Sequence, residues 1–183
     1  MTSRTRPGPV VASLAALMLL CGTTDADAQA ARAVVRFRSY PVPVTLDTIA
    51  RAEEIRAPYG AVYSTVRAVL ADLDLRVTLD DTRRGVIGNL RWNRSGSVAG
   101  ERPSAFLNCG AGPTGPNADN FRLTLAFAAF LDELGDDQTR LGVALIGEGE
   151  NVTGTGGKPA ACESLGVLET HILRLVRGRL GMP

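Results

Sequence analysis

Histidine, lysine and tryptophan each occur once in these 183 residues, and cysteine occurs three times. A zinc site needs three or four ligands, and no ligand set at workable spacing accompanies the one histidine, His171. Aromatic residues make up 5% of the chain and the formal net charge is +1. Such a balance gives no bulk attraction to nucleic acid or to anionic membranes. Long apolar runs are missing as well. The longest, Val10 to Leu20, has eleven residues, where a transmembrane helix needs about 20. A phosphate-binding loop is also absent: Gly157-Lys158 is followed by Pro159 rather than Ser or Thr, and Val152 stands where the first glycine belongs. No cofactor is expected.

What is present begins with a leader-like start. Arg4 and Arg6 precede the apolar run, and Ala26-Asp-Ala28 and Ala28-Gln-Ala30 follow as small-x-small cleavage sites. Residues 1–30 therefore read as a signal peptide of an exported protein, periplasmic or extracellular. Cys21 follows the apolar run, as a lipidated cysteine would, but Leu19 and Leu20 stand where a lipobox has small residues. The pattern favours cleavage near Ala30 over a lipid anchor at Cys21.

Beyond the leader, residues 31–50 read as an irregular segment and 51–183 as a single α+β domain. Ala33 to Phe37 and Ala52 to Arg56 have strand character, while Pro41 and Pro43 deny a regular ladder between them. Pro58 then opens a helix over 58–73, with Tyr59, Val62, Tyr63, Val66, Val69, Leu70 and Leu73 on one stripe. The period next switches to two. Leu75, Val77 and Leu79 alternate with polar residues, and Val86, Gly88, Leu90 and Trp92 fall on one side of a second strand. Ser104 to Cys109, Phe121 to Phe127 and Thr139 to Ile146 supply further strands, and Gly147 to Pro159 a glycine-rich loop. A closing helix begins near Ser164, its apolar sector formed by Leu165, Leu168, Ile172, Leu175 and Val176. The expected fold is an antiparallel sheet with two helices packed on one face.

Several groupings resemble chemistry, and most resolve into structure. The acidic cluster Asp132, Glu133, Asp136 and Asp137 lacks EF-hand spacing and reads as a solvated hairpin loop. Arg91-Trp92-Asn93-Arg94 mixes bases with an aromatic, yet Trp92 continues an apolar alternation, which places it in the core and its arginines in solvent. Cys109 and Cys162 remain once Cys21 is removed, and two cysteines in an exported protein read first as a disulfide. His171 is nine residues beyond Cys162, about 13 Å along a helix, so the two do not form a nucleophile-base pair. A hydrolase would require reduced Cys109 or a loop serine to meet His171.

The hairpin 121–146 carries a more specific expectation. Placing Phe121, Leu123, Leu125 and Phe127 on one face with Leu141, Val143 and Leu145 pairs Phe127 with Leu141 and leaves a loop at 131–137. The opposite face is then small: Thr124, Ala126 and Ala128 beside Gly142 and Ala144. Such a face suits close approach by a second subunit or a protein partner; otherwise it is left in water or covered by the chain's own residues 33–44. Between the sheet and helix 58–73, an apolar pocket lined by Tyr59, Tyr63 and Val66 would suit a small apolar ligand.

Asn108-Cys-Gly, Ala118-Asp119 and the terminal Cys162-x-Ser164-x-Gly166-x-Leu168-Glu169 together resemble uncharacterised exported bacterial proteins that close with a C-x-S-x-G-x-L-E helix, from about Ile55 to Leu180. The element order is also similar to the helix-grip modules of outer-membrane-assembly lipoproteins. No activity comes with either likeness. The sequence thus implies a non-catalytic cell-envelope protein that binds a protein partner or forms a homo-oligomer, or alternatively carries a small apolar ligand.

Overall fold

In the structure, a computed structural model, residues 32–152 and 157–182 are described. The expected leader, with Cys21 and Ala30, lies outside the described residues. The described residues fall in one compact unit, Ala31–Pro183. It is α+β, with every strand pairing antiparallel. In chain order the elements are β1 (Val34–Val35), β2 (Val44–Thr45), α1 (Leu46–Ile49), β3 (Arg51–Ile55), α2 (Tyr59–Asp72), β4 (Leu79–Asp81), β5 (Val86–Arg94) and β6 (Leu107–Asn108). Then come β7 (Ala111–Gly112), β8 (Gly115–Pro116), α3 (Asn117–Asn120), β9 (Arg122–Gly135), β10 (Gln138–Glu150), β11 (Ala160–Ser164) and α4 (Val167–Arg179). The main sheet runs β4-β5-β9-β10-β11-β6, and β3 pairs with β10 beside β11.

Two hydrophobic clusters sort by strand parity. Leu123, Leu125, Phe127, Ala129 and Leu131 of β9 join Leu141, Val143 and Leu145 of β10 in a cluster with Val62, Val66 and Leu70 of α2 and Leu168, Ile172 and Val176 of α4. The even-numbered Ala126, Ala128, Phe130, Ala144 and Ile146 form the second cluster with Ala33, Val35, Phe37 and Leu46. Both sides of the two central strands are therefore dry, so β9 is continuously buried from Leu125 to Leu131. Alternation disappears from the sequence where both faces are covered.

That double burial explains the first correction. The hairpin pairs Leu141 with Leu131, Val143 with Ala129 and Leu145 with Phe127, four residues away from the expected register. The parity survives, so the face assignments hold. The strands simply continue through the acidic cluster, with Gly135 opposite Gln138, leaving Asp136 and Asp137 in a two-residue turn. Asp132 is not a loop residue: on β9 it receives the Arg32 guanidinium at 2.8 Å, while that guanidinium also lies 5.0 Å from the Phe130 ring centre.

A second correction concerns Thr124, Ala126, Ala128, Gly142 and Ala144. Ala126, Ala128 and Ala144 are at most 1% exposed. A close approach to this small-residue face does occur, but the approaching surface is the chain's own segment 33–46. Gly142 is buried with them and Thr124 half-buried, its hydroxyl donating to Asn93 Oδ1 at 3.1 Å. The segment is anchored at several points. Leu46 N–H donates to the Ala33 carbonyl at 2.9 Å, Ser39 N–H to Glu148 at 3.1 Å, and the Tyr40 hydroxyl to the Cys162 carbonyl at 3.1 Å. Residues 31–50, read as irregular, thus hold two short strands, one helical turn and a share of the core.

Other differences are local. β5 is not one alternation: its pairing with β9 shifts by one residue between Asn89 and Trp92, a β-bulge. Val86 and Leu90 consequently pack with the second cluster and Ile87 and Trp92 with the first. The strand expected over 104–109 shrinks to β6 behind a 3-10 turn, Pro103–Ala105, and β4 begins only at Leu79. Part of the presumed glycine-rich loop is strand, Gly147 to Glu150 in β10. α4 starts at Val167, leaving Leu165 exposed, and its buried sector includes Leu173 rather than the half-buried Leu175.

Gly88 allows β5 to approach β9. A Cβ built there would stand 2.2 Å from the Phe127 carbonyl oxygen and 2.7 Å from Ala128 Cα. Gly88→Ala should therefore force the strands apart and lower stability by about 2 kcal/mol, as overpacking does. Urea denaturation followed by circular dichroism reads this as a lower midpoint.

Candidate functional site

The motif at the chain's end proves to be construction. Cys162 on β11 is bonded to Cys109, just beyond β6. Both sulfurs are therefore committed, so neither is available as a thiolate nucleophile. Two residues on, the Ser164 hydroxyl donates to Glu169 Oε1 at 2.5 Å and accepts from Gly166 N–H at 3.0 Å. Gly166 has φ +74°, a left-handed conformation that glycine adopts without a Cβ penalty. Leu168 is buried in the main cluster. C-x-S-x-G-x-L-E thus ties the sheet, turns the chain, secures the first turn of α4 and inserts its first core residue. His171 is half-buried on α4, its Nδ1 2.8 Å from an Arg174 guanidinium nitrogen. Among the described residues no group of three or more His, Cys, Asp or Glu side chains is placed to hold a metal ion.

Tyr59, Tyr63 and Val66 do come together on α2, but as packing. Val66 is fully buried and Tyr63 is 6% exposed. The Tyr63 hydroxyl donates to Asp80 Oδ1 at 2.5 Å and Tyr59 donates to the Thr82 carbonyl at 2.5 Å, so both are tied to the β4 end of the sheet. Tyr63 and Val66 belong to the main cluster, and Tyr59 packs against it. Desolvation first, then the hydrogen bond to Asp80, pushes the Tyr63 phenol up from 10.0 to about 12. At Tyr40, desolvation and then the Glu163 charge push it to about 12. The folded chain holds these protons more tightly than the unfolded chain, so their contribution is complete below pH 10 and lost as pH climbs towards 12. Unfolding midpoints measured across that window should fall, and Tyr63→Phe should flatten the fall.

The most distinctive surface feature lies at the same edge of the sheet, farther along β5. β4 pairs with β5 only over Val86 to Gly88. Beyond it Thr78 N–H donates to the Gly88 carbonyl at 2.8 Å, and Asn89 Nδ2 donates to the Arg76 carbonyl at 2.9 Å. Past that point β9 is the only strand neighbour of β5 among the described residues. A cleft of about 520 Å³ follows this margin, and Arg76, Arg91, Trp92 and Arg94 contribute to its lining. Among the described residues Asp74 is the only acidic one that lines it.

The bulge distributes the cations. Leu90 and Arg91 together oppose Ala126, and Leu90 packs on the second cluster. Trp92 is 6% exposed in the first cluster, and the Arg94 guanidinium lies 5.2 Å from its ring centre. Arg94 also donates to the Ser97 carbonyl at 2.7 Å and reaches Asp74 at 3.5 Å. Arg76 and Arg91 are exposed, and among the described residues no carboxylate pairs with either. Sequence reasoning places Arg91 and Arg94 in solvent and Trp92 in the core. It misses Arg76, which reaches the cleft only because β4 folds back along β5.

No protein-family model matches the chain, and no curated protein matches it significantly.

Proposed function

We propose that the chain is an exported, non-catalytic binding module of the cell envelope. In this reading its leader is removed near Ala30, its two long helices grip one side of the sheet, and it recognises a protein partner through the cleft beside β5. The observation that carries the reading is Arg76 and Arg91, exposed without a carboxylate partner among the described residues, along the part of β5 that β4 does not pair. The disulfide is compatible with an oxidising compartment, and no described helix is long and apolar enough to cross a membrane. The likeness to exported proteins ending in a C-x-S-x-G-x-L-E helix points the same way.

Native mass spectrometry of the protein purified from the envelope of cells that export it tests this reading. It should find a processed, disulfide-bonded chain in a stoichiometric complex that dissociates in an Arg76→Glu/Arg91→Glu variant. A chain that retains its leader, or a complex indifferent to the double variant, would contradict it.

A further inference from the structure

We propose that the partner presents an extended acidic segment that adds to β5 as a new strand along Leu90–Arg94, with carboxylates on both of its faces. This rests on the binding-module reading above and specifies the chemistry of the partner. An uncovered strand margin offers backbone N–H and C=O groups in a row, and an incoming strand gains its affinity from those main-chain bonds. β4 pairs with the margin only as far as Gly88, and the Arg91 N–H donates to Asn89 Oδ1 at 3.0 Å, a side-chain bond that an added strand would replace.

The bulge then sets the side-chain code. In an unbroken strand Arg91 and Asn89 would share a face, and so would Leu90 and Trp92. With one residue inserted, Leu90 and Arg91 both oppose Ala126, on the face of the second cluster. Trp92 returns to the first cluster, bringing Arg94 with it over the ring. One guanidinium therefore flanks each face of the margin, and Arg76 stands across the cleft. Neighbouring residues of an added strand point to opposite faces. A segment with adjacent acidic residues meets Arg91 with one and Arg94 with the next, in charge-assisted hydrogen bonds. A single compact anion, by contrast, occupies one face at a time.

Edge arginines have another established use, since charge on a sheet margin discourages strands from pairing indiscriminately. The two roles separate experimentally. Trp92, the chain's only tryptophan, sits under Arg94 and reports occupancy by its fluorescence. The disulfide-bonded chain is titrated with a synthetic peptide of Thr-Asp-Glu-Val repeats, its Asn/Gln counterpart, an N-methylated version, citrate and inorganic phosphate.

The acidic peptide should bind, and N-methylation, amidation or Arg91→Gln should each weaken it about tenfold or more. Equal binding of the N-methylated peptide would overturn strand addition. Citrate or phosphate binding as tightly as the peptide would make the cleft a small-anion site. Should no peptide bind while Arg76→Gln/Arg91→Gln makes the chain self-associate, the arginines guard the edge. A native complex that survives any of these failures leaves the binding-module reading intact and removes only the acidic strand.

Discussion

Replacing Cys109 and Cys162 together by alanine is expected to lower the free energy of unfolding by about 4 kcal/mol, from the entropy of the closed loop. The two cysteines are 53 residues apart in sequence. That span includes the small β7–β8 hairpin, α3 and the long β9–β10 hairpin. Net stabilities of domains lie at about 5–15 kcal/mol, so the variant should keep only part of its resistance to urea. The bond also holds β6 against β11 where just two residue pairs join the strands, Glu163 with Asn108 and Ser164 with Leu107. Hydrogen exchange should therefore rise first in β6 and β11. An unchanged urea midpoint in the double variant, or in the reduced wild type, would show that the staple carries no stability.

Ala128→Glu should be more damaging still. Ala128 is fully buried, with Gly88 beside it on β5 and Ala144 beside it on β10. A carboxylate there would be trapped beneath segment 33–46 with no cation assigned to it, at a cost of several kcal/mol. Expression should yield aggregated or unfolded chain. Val34→Glu, on the same N-terminal segment but 48% exposed, should fold normally and serve as the control. An Ala128→Glu protein that folds as well as wild type would show that segment 33–46 does not seal this face.

These two sites also mark how far the sequence could be read. The disulfide follows from compartment and cysteine parity alone, and α2 from a stripe that repeats over four turns. Strand parity in β9 and β10 is legible too, because period-2 alternation survives from Phe121 to Phe127. Register is not. Ala128 to Leu131 are buried whether they point up or down, so nothing in their polarity marks where the hairpin turns. The cover on the second face is hidden for a related reason. Ala33, Val35 and Phe37 are too few, and too close to Pro41 and Pro43, to announce a packed segment. The cleft depends on a one-residue bulge and on Arg76 arriving from before β4, neither of which has a sequence signature. An overall charge of +1 hides a local excess of three arginines over one aspartate.

The central claim is that the module recognises its partner at the β5 margin. A photoreactive amino acid placed at Arg91, compared with one at exposed Arg174 on α4, tests it in cells that export the full chain. The account predicts a discrete adduct from position 91 alone, with the crosslinked peptide mapping to an acidic, extended segment of one partner protein. A position-91 adduct on a segment without acidic residues would remove only the acidic strand, whereas adducts from position 174 but not from 91 would contradict the central claim.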